Sequence, residues 1–249
     1  LDKVVLNKIR ETLMNAFGGE FSQIIIGGAP LNAEVEAFLR RIKFPVTVGY
    51  GMTETAPLIS FTPWDRFRSQ SCGQVLKGFM EARIANPDAD GVGEIQVRGE
   101  NVMVGYYKNE QATKDSFTAD GWLRTGDLGV IDEDGYIYIK GRCKTMLFGP
   151  SGQNIYPEEI EAKINNMPYV LESLVLQKDT RLVALVCPDF EAVDADKLTQ
   201  EQLEVVMEEN RKLVNGELAA YEQINELRIY THEFEKTPKK SIKRFLYEA

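Results

Sequence analysis

The chain has one histidine, His232, and three cysteines, Cys72, Cys143 and Cys187, odd in number and far apart. That set offers no zinc-ligand spacing and no disulfide framework, and it fits a reducing, cytoplasmic compartment. A hydrolytic triad could use a single histidine, but no serine here sits in a Gly-x-Ser-x-Gly turn. Apolar runs are short. None approaches the roughly 20 residues that cross a bilayer, and the opening LDKVVLNKIRETL has acid in its first turn and lacks the apolar stretch of a signal peptide. At most peripheral membrane contact is expected. Positive charge is also in deficit, with 29 Lys+Arg against 38 Asp+Glu and a net charge of −9, which argues against nucleic acid as a partner. An initiating methionine is absent too, so the chain is expected to be a piece of a longer polypeptide.

What remains is an ordinary globular composition, 43% hydrophobic over 249 residues, enough for one or two cores. Val5, Ile9, Leu13 and Ala16 recur at helical spacing before a stop at Gly18-Gly19. Gln23 to Ile26 reads as a strand, Asn32 as the cap of a helix carrying Val35, Phe38, Leu39 and Ile42, and Pro45 to Gly49 as a second strand. This strand, helix, strand order suits a parallel crossover. Two parallel strands are not a domain, so the unit reads as a remnant of a larger sheet.

From about residue 70 to 140 the pattern becomes short strands separated by turns, Asn86 to Gly91 and Asp132 to Gly135, which predicts a small antiparallel β-barrel subdomain. Beyond it, Pro157 stands at a first helical position with Ile160 and Ile164 on one face. A hairpin turns at Lys178-Asp179-Thr180, and Thr199 with Gln202 forms a capping box ahead of a helix carrying Leu203, Val206, Met207, Leu213 and Leu218. A last strand is expected at Leu227 to Thr231, and the segment reads as an independent α+β domain. Acid collects between Asp189 and Glu209, with eight acidic residues and one basic, whereas Lys236 to Arg244 holds five basic residues in nine. The acidic stretch reads as a solvated face. The basic tail suits either solvent or a phosphate.

Four segments carry chemistry. Gly27-Gly28-Ala29-Pro30 and Tyr50-Gly51-Met52-Thr53-Glu54-Thr55 follow the two parallel strands, where open α/β sheets bind ligands. Thr53 can bond a phosphate oxygen, Glu54 can ligate Mg²⁺, and Tyr50 offers a ring for a base. A polar loop with an ordinary N-cap would use the same residues. In GWLRTGDLG, Asp127 could accept both hydroxyls of a ribose or simply form a turn. Arg142 could pair with phosphate or with a structural carboxylate, and Lys144 could be a hinge.

Together YGMTET, GEIQVRGENVMVGYY, GWLRTGDLG, YIKGRCKTMLFGPSGQNIYPEEIE and KTPKKSIKR resemble the adenylate-forming superfamily of acyl-CoA synthetases, adenylation domains and luciferases. IIIGGAPLNAEVEAFLR resembles its long-chain fatty acyl-CoA synthetase branch. The resemblance covers nearly the whole chain in order. It implies a ligase that joins a fatty acid to coenzyme A at the expense of ATP, with Mg²⁺, through an acyl-adenylate. Residues 1–143 would be the end of the large AMP-binding domain (1–69 an α/β remnant, 70–143 the β subdomain) and 144–249 the mobile C-terminal domain.

By the same resemblance Gly28, Ala29 and Pro30 would flank one face of adenine and Tyr50 the other, beside Gly51 and Met52. Thr53 would hold the α-phosphate, Glu54 the Mg²⁺, Asp127 the ribose with help from Arg142, and Lys144 would be the hinge. Gly149, Ser151 and Gly152 would line the passage for the pantetheine arm. The Ser/Thr/Gly-rich phosphate loop ending in Pro-Lys has no counterpart among these 249 residues, so the chain alone is expected to be inactive without an N-terminal half. The adenylation lysine of the closing motif falls at Ser241, flanked by Lys240 and Lys243, with Lys243 preferred. Two rivals are an adenylating enzyme that loads a carrier protein and a non-catalytic nucleotide-binding module.

Overall fold

The computed structural model describes residues 3–28, 30–238 and 241–248. The chain divides into two compact units between Lys140 and Gly141. Among the described residues no helix is long and apolar enough to cross a membrane.

The first unit opens with α1 (Lys3–Ala16), β1 (Ile24–Ile26), α2 (Ala33–Arg41) and β2 (Val46–Val48). α1 stops where Gly18 and Gly19 take φ of +88° and +78°, a conformation open mainly to glycine, and the Gly19 N–H bonds the Met14 carbonyl at 2.9 Å. The Asn32 side chain caps α2 by accepting from the N–H groups of Glu34 and Val35. β1 and β2 pair in parallel, Ile24 with Val46 and Ile26 with Val48, as the crossover reading expects. α1 turns Leu6, Ile9 and Leu13 toward Ile42, Phe44 and Val46, while Val5, expected on that face, is 43% exposed. β2 is buried throughout, but Ile25 of β1 is half exposed and so are Val35 and Phe38 of α2.

The chain continues through β3 (Tyr50–Gly51), β4 (Leu58–Phe61), β5 (Gln74–Val75), β6 (Met80–Ala85), β7 (Gly93–Gly99), α3 (Glu110–Ser116), β8 (Leu123–Ile131) and β9 (Ile137–Arg142). These strands form two open antiparallel sheets, ordered β3-β4-β5 and β6-β7-β8-β9. The expected small barrel is thus not closed. An isolated bridge between Gln74 and Tyr136 joins the sheets along one side, but among the described residues no ladder returns from β9 to β6. The sheets share one core of Tyr50, Ile59, Met80, Ile95, Val97, Leu123 and Ile137, so closure is supplied by side-chain packing rather than by strand pairing.

The second unit contains β10 (Leu147–Phe148), β11 (Asn154–Ile155), α4 (Pro157–Ile164), β12 (Val170–Lys178), β13 (Arg181–Pro188), α5 (Phe190–Ala195), α6 (Gln200–Gly216) and β14 (Ile224–Ile229). β12 and β13 form the expected hairpin, and β14 adds to β13 in parallel. Ile160, Ile164, Leu203, Met207 and Val214 pack on one face of this sheet against Val175, Ala184, Val186 and Ile224. The other face carries Leu174, Val183, Leu185, Cys187 and Phe234. Leu213 is 63% exposed, because the inward stripe runs through Leu203, Met207, Asn210 and Val214. The last strand starts earlier than expected, where Asn215 Oδ1 accepts from the Ile224 N–H at 2.8 Å and Arg211 donates to the Ile224 carbonyl.

Candidate nucleotide site

In the first unit the Gly27-Gly28 turn and the Gly49-Tyr50 segment leave the carboxyl ends of the paired strands β1 and β2. The Gly49 N–H bonds the Ile26 carbonyl at 2.9 Å, which continues the pairing past the strands. Gly28 has φ +86°, Pro30 is exposed, and Ala29 lies outside the described residues.

Tyr50 and Gly51, expected within a loop, are strand β3, antiparallel to β4. A Cβ on Gly51 would run into the Pro57 carbonyl, which accounts for glycine there. Met52 leads into a single 3-10 turn, Thr53–Thr55. Its hydroxyls divide the work. Thr55 is fully buried and bonds the Pro57 carbonyl at 2.6 Å, so it builds the turn, while Thr53 is exposed and remains available to a ligand.

Glu54 is held from both ends. Its carbonyl accepts from the Met103 N–H at 2.8 Å, and its Oε1 accepts from the Tyr106 hydroxyl at 2.8 Å. Tyr106 is itself tied down, its N–H donating to Thr113 Oγ1 at 2.8 Å in the middle of α3. The bond to Glu54, followed by partial burial, pushes the Tyr106 phenol above its ordinary pKa.

Asp127, in the middle of β8, is 7% exposed. Its Oδ2 accepts from the Tyr50 hydroxyl at 2.8 Å, and its own N–H donates to Thr125 Oγ1 at 3.1 Å. Burial first, then the neighbouring Asp127 charge, raises Tyr50 far above the usual phenol range. Tyr50 therefore stays a protonated donor, and Asp127 is an oriented carboxylate. The structure thus gathers Tyr50, Gly51, Met52, Thr53, Glu54 and Asp127 around β3 and β8.

Among the described residues no group of three or more His, Cys, Asp or Glu could hold a metal by itself. A lone carboxylate such as Glu54 suits Mg²⁺, which keeps waters and takes most other ligands from nucleotide phosphates. Glu54 would be the protein ligand, with Tyr106 fixing one of its oxygens.

The remaining expected residues belong to the second unit. Arg142 ends β9 and Lys144 lies in the turn after it, both exposed, and the Arg142 carbonyl accepts from the N–H groups of Thr145 and Met146. Gly149, Ser151 and Gly152 form the β10–β11 turn, closed by the Gly149 N–H on the Gln153 carbonyl at 2.8 Å. The tail folds back as a hairpin: Lys236 bridges Ile242, the Thr237 N–H donates to the Ser241 carbonyl, and the Lys243 N–H donates to the Glu235 carbonyl. Lys243 Nζ lies 3.2 Å from Glu235 Oε2 at the hairpin base. Lys240 lies outside the described residues.

Two residues escaped sequence reasoning. Tyr106 stands inside a quoted motif, but nothing local ties it to Glu54. Glu36 is 1% exposed on α2 and gathers Ser69 Oγ, the Gln70 N–H and the Gln70 amide, anchoring the loop that follows β4. The only signal was an acid at an inward helical position beside Leu39.

The first unit thus sets two glycine-containing segments at the carboxyl ends of its parallel strands and a buried Tyr50–Asp127 pair on β3 and β8. Residues 4–107 match the AMP-binding enzyme family. It is 32% identical over 212 residues to a long-chain-fatty-acid–CoA ligase of Rattus norvegicus, an alignment covering 82% of this chain and 29% of the relative. ATP-bound MatB from Rhodopseudomonas palustris superposes with a TM-score of 0.72 at 30% identity, over 92% of this chain and 45% of that one. The o-succinylbenzoate coenzyme A synthetase MenE of Bacillus subtilis, in complex with ATP and magnesium ion, gives 0.72 at 25% identity, over 94% and 49%. The chain thus spans under a third of its curated relative and about half of the solved chains.

Proposed function

We propose that this chain supplies the adenosine-binding and acyl-transfer portion of a long-chain fatty acid–CoA ligase. In the first half-reaction a fatty acid carboxylate attacks the α-phosphorus of ATP, giving acyl-adenylate and pyrophosphate. In the second, the thiol of CoA attacks the acyl carbon and AMP leaves. The observation that carries this reading is the Tyr50–Asp127 pair beside the Thr53–Glu54 turn.

Each residue has a role in that reading. The Tyr50 ring and the Gly28 turn enclose the base. Asp127 accepts from the ribose hydroxyls, aimed by the Tyr50 phenol, and Arg142 assists. Thr53 donates to the α-phosphate. Bound Mg²⁺ would neutralise phosphate charge, and Glu54 would hold it. Lys144 acts as the hinge, and Gly149, Ser151 and Gly152 border the pantetheine passage. A lysine of the closing hairpin faces the α-phosphate during adenylation; with Lys243 paired to Glu235, Lys240 is the other candidate. The three free cysteines fit work in the reducing cytoplasm.

ATP–pyrophosphate exchange by the longer polypeptide tests the reading: it should depend on fatty acid, and CoA should then accept the acyl group. Preference for a phosphopantetheinyl carrier over CoA would move the chain to the carrier-loading class. Because the phosphate loop is absent from these residues, the 249-residue chain itself is expected to show no fatty-acid-dependent exchange. Exchange by that chain would overturn this part of the reading. Nucleotide binding without exchange by any longer form would favour the non-catalytic module.

A further inference from the structure

Glu235, Pro238 and Ser241 of the closing hairpin are exposed. Apolar packing seats its ends, where buried Phe234 lies against Tyr230 and Tyr247 and Ile242 joins the same cluster, and polar anchors tie both limbs as well. On the outgoing limb, Arg244 Nη1 lies 2.6 Å from Glu161 Oε1 of α4, and Arg244 Nη2 donates to the Val175 carbonyl at 2.7 Å. The N–H of Val175 donates to the same Glu161 Oε1 at 2.7 Å.

One guanidinium and one carboxylate thereby close a ring on both backbone groups of Val175. β12 is an edge strand of its sheet, β12-β13-β14, and this ring satisfies outward groups that no further strand pairs. On the incoming limb Lys236 Nζ lies 2.8 Å from Glu172 Oε2, and Glu172 Oε1 accepts from the Phe234 N–H at 3.0 Å. Glu172 belongs to β12 as well, so one strand grips both limbs. Tyr247 adds a third tie, its hydroxyl accepting from the Glu235 N–H at 2.6 Å.

A buried ion pair gives little net stability compared with apolar packing of the same volume, because both charges lose their water. What this one does give is direction, since the planar fork accepts only one orientation. We propose that Arg244 and Glu161 are positioning residues of the ligase: they lock the root of the closing hairpin to β12 and so hold its lysine at the reacting phosphate during adenylation. The proposal rests on the ligase reading above.

Two readouts test it. In the 249-residue chain, hydrogen exchange at the Thr237 and Lys243 amides should accelerate on Arg244→Met while the β13 amides stay protected. In the longer polypeptide, Arg244→Met should lower fatty-acid-dependent pyrophosphate exchange by about 10- to 100-fold, the scale of a small misplacement. Thioester formation from supplied acyl-adenylate and CoA should change by no more than about twofold, because that step does not use the lysine.

If Arg244→Met does not fold, Arg244→Lys carries the test, since it keeps the charge beside Glu161 but cannot span both acceptors. Equal losses in both half-reactions, no loss in either, or unchanged exchange at Thr237 and Lys243 would overturn the proposal. A wild-type polypeptide without fatty-acid-dependent exchange would instead overturn the ligase reading, while the hydrogen-exchange arm still decides the anchoring.

Discussion

The Tyr50 hydroxyl donates a 2.8 Å hydrogen bond to Asp127 Oδ2, joining residues 77 positions apart in the chain. Each partner is buried, so neither group can exchange the other for bulk water. Tyr50→Phe keeps the ring and removes the donor. The expected cost is about 1–2 kcal/mol of stability, together with roughly three- to tenfold weaker AMP binding by the longer polypeptide. Thermal melts and calorimetric titration of AMP read the two effects. Unchanged affinity in a folded variant would show that Asp127 needs no help from Tyr50.

Glu54 is the side chain on which the cation assignment stands. Glu54→Ala in the longer polypeptide should reduce acyl-adenylate formation by at least about 100-fold, while Mg²⁺-free nucleotide binding stays close to wild type. Wild-type thioester synthesis by this variant would refute the assignment. Tyr106→Phe, which frees Glu54 Oε1 of its donor, should change the Mg²⁺ concentration at half-maximal rate without abolishing the reaction.

How much of this could be read beforehand follows from the range of each interaction. The crossover, the Asn32 cap, the Pro157 start and the Thr199–Gln202 capping box are written in neighbouring residues, and all are present. The site residues came through motif resemblance, which marks Tyr50, Glu54 and Asp127 but not what holds them. Contacts between Tyr106 and Glu54, or Arg244 and Glu161, span 52 and 83 positions, and local periodicity carries no trace of such partners. The open sheets illustrate the same limit, since short strands and turns look alike whether or not the last strand pairs with the first.

Glu36 shows what a single buried carboxylate does in the remnant unit. Removing it by Glu36→Ala leaves Ser69 Oγ, the Gln70 N–H and the Gln70 amide without their acceptor. Ser69 and Gln70 are themselves exposed, so water reaches the freed donors and the expected cost is about 1–2 kcal/mol. Urea unfolding of the variant measures the loss. A change under about 0.5 kcal/mol would mean that water replaces the carboxylate at no cost.

The pH dependence set by the cysteines has a definite sign. Burial, followed by the charges of Asp127 and Glu36, pushes the Cys72 thiol up to about 11, and burial with Glu172 and Glu233 does the same for Cys187. Below the ordinary thiol value near 9 both folded and unfolded chains keep these protons, and stability does not depend on them. Between about 9 and 11 the unfolded chain releases protons that the folded chain retains. Stability therefore falls as pH rises through that window. Cys72→Ala should flatten the slope of urea midpoint against pH there, and an unchanged slope would contradict the assignment. The same protonation governs reactivity, because only a thiolate attacks a disulfide reagent. At pH 8 about one part in a thousand of Cys72 is ionised, so Cys72 and Cys187 should react slowly in the native chain and quickly in denaturant. Rapid native labelling of Cys72 would show that the core beside Asp127 opens readily.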